Sequence, residues 1–154
     1  FLRRCIEQKG NVHPFVMTLG RDTDGALYGM DDVLSQYILD MLYNLMLVKM
    51  ERRLRADIKE EFEYDNCSKL SPGSLEYWPL SQQRQLFELL SDGVSAIDVS
   101  LDDKCIMHPT KSLSGIIFQT RIPFSSCIFC SMRDCPGREQ PYQIEKMEYY
   151  LARI

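Results

Sequence analysis

Two short segments of the chain carry residue types at spacings that can do chemistry. The first is Cys127-Ile128-Phe129-Cys130-Ser131-Met132-Arg133-Asp134-Cys135-Pro136-Gly137-Arg138. A C-x2-C turn folds two sulfurs toward one point, and four further residues are enough to return a third. Three thiolates then come within reach of one metal centre, and the following proline holds the loop open. Zinc or an iron–sulfur cluster takes four protein ligands in a closed site, so a fourth must come from Cys67, Cys105 or a group outside the chain. Cys67 ranks slightly ahead, because it lies two residues before Lys69, whereas Cys105 sits in an apolar-flanked stretch that suits a core position. His13 and His108 are further options. In an oxidising compartment the same run would hold a disulfide, and in the cytosol inert thiols.

The second segment is Lys69-Leu70-Ser71-Pro72-Gly73-Ser74-Leu75-Glu76-Tyr77-Trp78-Pro79-Leu80. Proline fixes one backbone angle and glycine permits positive φ or close approach, so Pro72-Gly73 is a sharp, rigid turn. With Lys69, Glu76, Tyr77 and Trp78 beside it, the turn suits a ligand that has both apolar and charged parts. On spacing alone it also reads as a surface loop ahead of a helix.

The elements that must position these segments are read from periodicity and breakers. Pro14–Gly20 is a short buried strand closed by a glycine turn, and Arg21 to Met30 is a loop. Asp31 and Asp32 open the strongest helix, with apolar residues at Val33, Leu34, Tyr37, Ile38, Met41, Leu42 and Leu45. Leu39, Met46 and Leu47 widen that face, so the helix is expected to be central and covered on several sides. Its second half, Met50 to Glu60, is densely charged, and pairs such as Glu51 and Arg55 favour a solvated face. Asn66 to Pro79 reads as a loop, and Ser81 as the cap of a helix over Gln82–Leu90 whose buried side is Leu86, Phe87, Leu89 and Leu90. Ala96–Leu101 alternates like a half-buried strand, and Gly115–Phe118 is a second one. A cysteine-rich loop spans Pro123 to Pro141, and Tyr142–Ala152 has a closing helical pattern. No repeat or regular βαβ alternation is present, so the expected class is α+β.

The 154 residues fit one domain, and a chain of that length buries roughly 68–70% of its unfolded surface without needing a disulfide or metal staple. Hydrophobic residues make up 45% and charged residues 26%, which excludes a disordered or fibrous chain. Eighteen Lys and Arg against 22 Asp and Glu give a net charge of −4, which argues against a nucleic-acid binder. The longest apolar stretch, Ile38–Val48, is interrupted by Asp40 and Asn44 and is too short to cross a bilayer. A soluble cytoplasmic domain with no membrane partner is expected. Its start at Phe1, with no signal-peptide pattern, suggests a piece of a longer chain.

Taken together, the ordered segments resemble the activation (S-adenosylmethionine-binding) domain of cobalamin-dependent methionine synthase, especially small stand-alone relatives from anaerobes. Ser71-Pro72-Gly73, Trp78-Pro79-Leu80 and the Gln83…Leu86-Phe87…Leu89-Leu90 helix look like that family's arginine-x-x-proline-glycine-tyrosine stretch and its following helix. Leu101 to Pro109 followed by Ser112-Leu113-Ser114-Gly115 is similar to its methionine-x-proline…serine-x-serine-glycine signature, and the Cys127/Cys130/Cys135 run to the tail of its anaerobe subset.

The resemblance implies a twisted, mainly antiparallel sheet packed with long helices. It implies reductive reactivation, in which an oxidised cobalamin on a corrinoid-binding partner is reduced and remethylated with S-adenosylmethionine as methyl donor. An electron donor such as flavodoxin or ferredoxin would be a second partner. The implied S-adenosylmethionine contacts are Lys69, Ser71, Pro72, Gly73, Glu76 and Phe124, with Glu51 a second choice for the acidic group. Ser74, Tyr77 and Trp78 would face the cobalamin. Lys69 stands where the family has arginine and Ser74 where it has tyrosine, and lysine cannot make arginine's bidentate fork. The competing readings are an accessory protein of corrinoid metabolism that carries zinc or an iron–sulfur cluster, and an interaction domain with structural zinc.

Overall fold

A computed structural model describes residues 11–76, 78–122, 125–132, 134, 138 and 140–151. Ser112–Thr120 (β5) is the strand around which the fold is organised. Val12–Thr18 (β1) and Asn66–Leu70 (β2) flank it, both antiparallel, giving the order β1-β5-β2. A central strand covered on both faces must be apolar or small at successive positions, and Ser114, Gly115, Ile116, Ile117 and Phe118 are all buried.

Alternation along the strands separates two cores. Leu70, Ile116 and Phe118 pack on one face with Leu75, Trp78, Leu86, Ile128 and Phe129. Cys67, Ile117 and Phe15 pack on the other with Ile58 and, at its margin, Leu54, Tyr64 and Leu113. The turn segment and the cysteine loop therefore cover one face of the sheet, and the long helix Val33–Glu61 (α2) covers the other.

Asp32 caps α2, accepting from the amides of Leu34 and Ser35 and from the Ser35 hydroxyl, and these bonds hold its carboxyl below the usual range. At the far end Glu63 adopts φ 52°, and the Tyr64 amide reaches back to the Lys59 carbonyl. The helix is not central, as its apolar breadth suggests. Leu47, Glu51 and Ile58 are its buried residues, while Val33, Leu34, Tyr37, Ile38, Leu42, Leu45 and Met46 are each at least half exposed. What turns it this way is a polar anchor. Lys111, buried at the approach to β5, donates from Nζ to Asp40 Oδ1 at 2.5 Å and to Asn44 Oδ1 at 3.1 Å. Asp40, Asn44, Leu47, Glu51, Leu54 and Ile58 recur at helical spacing, so a face polar at its first end and apolar at its last meets the body.

Four further readings are corrected. Asp22–Tyr28 is a helix (α1) rather than loop, because Thr23 and Leu27 find burial and Asp24 accepts from the Thr110 amide and hydroxyl. The span from Asn66 begins with β2, not loop. Gln83–Leu89 (α3) follows a 3-10 turn over Leu80–Gln82 and is capped at Gln82 without a side-chain bond, so Ser81 is not its cap, and Leu89 is exposed. Ser91–Ala96 (α4) is helical, leaving only Ser100–Leu101 (β3) of the expected strand, paired with Met107–His108 (β4). Met147–Leu151 (α5) closes the described chain after a 3-10 turn at Ile144–Lys146. The α+β class holds, with a small antiparallel sheet and one long helix. No helix among the described residues is long and apolar enough to cross a membrane.

Candidate functional site

The chain leaves β2 at Leu70 and turns at once. The Ser74 amide donates to the Ser71 carbonyl at 3.1 Å across Pro72 and Gly73, and Gly73 has φ 79°. Proline second and a positive-φ glycine third is the sequence a type II turn requires. Ser74 tightens it, its hydroxyl donating to the Ser71 carbonyl at 2.6 Å. The Gly73 amide donates to the Trp78 carbonyl at 2.7 Å, and the Trp78 amide to Leu75 at 3.0 Å, so Trp78 folds back onto the turn. The buried indole of Trp78 seats that loop in the core.

The cysteine-rich segment lies opposite. Ser125 caps a 3-10 turn over Ser126–Ile128, and Ile128 and Phe129 enter the same core as Trp78. Arg138 then ties the loop from within: its guanidinium donates to the carbonyls of Cys127 (2.6 Å), Cys130 (3.0 Å), Gln140 (3.1 Å) and Met132. Planar donors in a fixed fork suit several carbonyls at once, which a lysine could not satisfy. Between the two loops lies a cleft of about 500 Å³, walled by Gly73, Ser74, Leu75 and Glu76 on one side and by Phe129, Cys130, Ser131, Met132, Tyr142 and Ile144 on the other. Its size is that of a small-molecule site, which typically spans ~300–1,000 Å³. Glu76 is its one carboxylate among the described lining residues.

The two segments singled out by residue type thus meet, but their members divide. Gly73, Ser74, Glu76 and Cys130 line the cleft. Pro72 is buried behind it, and the Ser71 hydroxyl oxygen is buried with no hydrogen-bond partner. Trp78 is core rather than a surface for a cobalamin. Lys69 points the other way. Strand alternation puts it on the α2 face, where its Nζ lies 3.7 Å from Glu51 Oε2, and Arg55 Nε lies 3.3 Å from Oε1 of the same buried carboxylate. Glu51 Oε1 still makes no hydrogen bond, because the Arg55 approach has ion-pair distance without hydrogen-bond geometry. Glu51 is accordingly spent on Lys69 and Arg55 and is turned from the cleft. Tyr77, Phe124 and Cys135 lie outside the described residues.

The cysteines divide as well. Cys127 and Cys130 are half-buried in the loop that walls the cleft. Cys67 is buried on the α2 face, donating to the Arg55 carbonyl at 3.4 Å, and burial pushes its thiol up. Cys105 is buried in the β3–β4 turn with φ 64°, its carbonyl accepting from Gln83. Neither reaches the Cys127–Cys130 turn. His13 faces Tyr64 with Nε2 to Oη at 2.9 Å, and His108 lies 3.5 Å from Asp102, so both histidines have structural partners. Among the described residues no three His, Cys, Asp or Glu gather as a metal site. Phe129, Tyr142, Ile144 and the Arg138 clamp were not legible as site residues, since only the fold brings Phe129, Tyr142 and Ile144 against the turn.

No protein-family model matches the chain, and no curated protein matches it.

Proposed function

We propose that this cleft binds S-adenosylmethionine and that the domain reactivates a corrinoid methyltransferase of the methionine synthase kind. The observation that carries the reading is the meeting of the Pro72-Gly73 turn and the cysteine loop around one cleft of about 500 Å³. The lining fits the ligand's chemistry: Glu76 supplies the charge that a sulfonium or ammonium group requires, and Phe129, Met132 and Tyr142 supply apolar and aromatic walls for a purine. Pro72-Gly73 fixes one wall, and Arg138 holds the other. S-adenosylmethionine, when bound, supplies the methyl group, and a flavodoxin- or ferredoxin-like donor supplies the electron that the oxidised corrinoid needs. Ser74, at the rim, then stands toward the corrinoid partner. Glu76→Gln removes a charge-assisted contact worth ~1.5–3 kcal/mol, so affinity falls at least tenfold in calorimetry. No heat from the parent protein at millimolar S-adenosylmethionine refutes the reading.

Cys130 in the cleft wall, with Cys127 in the same Arg138-held turn, favours one alternative: a zinc- or cluster-bearing accessory protein. Two described thiols need Cys135 and a further ligand to close such a site. Stoichiometric zinc or iron in protein prepared without oxygen, lost in Cys127→Ser, together with silent calorimetry, selects that alternative.

A further inference from the structure

We propose that the outward face of α2 is a self-association surface, on which a second copy of this chain lays its own α2 antiparallel. Leu34, Ile38, Met41, Leu45 and Val48 follow one another at spacings of four, three, four and three, the seam of a two-helix coiled coil. Every one of them is exposed, from 39% at Val48 to 65% at Leu34. Tyr37 and Leu42 flank the seam on either side and are exposed too. With the seam residues they offer on the order of 700 Å², beyond the ~300–600 Å² that monomers leave bare and near the ~800 Å² per partner of a stable interface. The face is not a misplaced core. Lys111, Asp40 and Asn44 fix a different side of the helix, about 100° round from the seam, so the seam cannot roll inward without unpairing a buried lysine.

Charge decides both the occupant and its direction. The N-terminal end of the seam carries Asp31 and Asp32, and its C-terminal end carries Lys49 and Arg52, all exposed, while Arg53 beside them is paired with Asp57 at 2.7 Å. Two copies side by side in parallel would set acid against acid and base against base. Antiparallel, each acidic end meets the other copy's basic end, which is the self-complementarity a two-fold interface demands. In that register Met41 of one copy packs against Leu45 of the other, and Ile38 against Val48. Arg52 then lays its stem along Leu34 and its guanidinium toward Asp31.

Sedimentation velocity on the full chain, at ~1–100 µM and moderate salt, reads the outcome. A dimer is expected, with Ile38→Glu/Leu45→Glu weakening it roughly a hundredfold or more while the monomer's melting and circular dichroism persist. Asp31→Arg and Arg52→Glu each weaken self-pairing, and mixing the two restores a dimer of one copy of each. Monomer at every concentration overturns the proposal, whether or not the face binds a different protein or lipid vesicles. A dimer indifferent to Ile38→Glu/Leu45→Glu overturns the surface, and a charge-swapped mixture that does not recover overturns the antiparallel arrangement.

Discussion

Gly115 sits in the central strand where β2 ends and the turn begins, and replacing it with alanine tests the packing there. A Cβ at this position would stand 2.4 Å from the Leu70 carbonyl oxygen, 2.9 Å from Ser71 Oγ and 3.2 Å from Phe15 Cε1. An ordinary carbon–oxygen contact is ~3.3 Å or more, so β2 must retreat by about 0.9 Å. The obstructing atom is backbone and has no rotamer to escape into. Retreat of that size takes the ladder hydrogen bonds beside Leu70 and Ile116 from ~2.9 Å to beyond the limit of a useful bond. Two such bonds at ~0.5–1.5 kcal/mol each, plus the crowding of Phe15, put the cost at about 2–4 kcal/mol. For a chain of this size each kcal/mol moves the melting temperature by ~2–4 °C, giving a fall of about 4–16 °C. Gly93 is the control. It lies inside α4 with nothing within 4 Å of its added Cβ, so Gly93→Ala gains ~0.5–1 kcal/mol from backbone entropy and raises the melting temperature by about 1–4 °C. Because Leu70 runs directly into Ser71-Pro72-Gly73, Gly115→Ala is also expected to weaken the S-adenosylmethionine binding proposed for the cleft at temperatures where it is fully folded. The reasoning is refuted if Gly115→Ala melts within about 2 °C of the parent, or if both substitutions shift it in the same direction.

Lys69→Met leaves the buried Glu51 carboxylate with Arg55 alone, so stability drops by about 1–3 kcal/mol in urea unfolding while S-adenosylmethionine affinity is unchanged. A loss of affinity without loss of stability would return Lys69 to the ligand. His13 is expected to make the fold acid-sensitive. Burial holds its imidazole below the ordinary 6.5, only partly offset by Glu61, so below that value the unfolded chain takes up a proton that the folded one refuses. Stability from this residue is full above about pH 6.5 and is lost as pH falls from there to the folded value. Melting temperatures measured across pH 7 to 5 should fall more steeply for the parent than for His13→Phe, and parallel curves would contradict the assignment.

The legible part of the fold was what periodicity and punctuation encode locally. The β1 and β5 strands, the start of the long helix at Asp31-Asp32 and the Pro72-Gly73 turn all stand where residue types put them. The failures share a cause, since each depended on a contact distant in sequence. The two glycines of the Gly25–Gly29 stretch signal a loop, yet Thr110, some eighty-five residues away, bonds Asp24 and fixes α1. Lys69 and Cys67 look like members of the turn segment because they are its sequence neighbours. Period-two alternation sends both to the α2 face, while Leu70 and Ser68 go to the other. The candidate site divides in the same way. The turn half was readable from Pro72, Gly73 and Glu76, whereas Tyr142 and Ile144 join it only through the Arg138-held loop and the Gln143 amide, which donates to the Ile128 carbonyl at 2.8 Å.

The misreading of α2 shows how a polar pair can outweigh a wider apolar stripe. An apolar stripe this wide on a helix predicts that side inward, since each buried large side chain is worth ~1.5–3 kcal/mol. Asp40 and Asn44 interrupt that pattern and pass at first sight for mere imperfections in it. They are its register. Lys111 is buried just ahead of β5, next to the Leu19 amide that its carbonyl holds at 3.0 Å, and among the described residues Asp40 is its anionic partner. An unpaired buried ammonium costs several kcal/mol, and it is localised, whereas the apolar stripe can be covered by another surface. The polar pair can be satisfied only from within the chain, and the stripe can be satisfied from outside it. The monomer therefore resolves the conflict in favour of the pair, and the apolar side is left for association.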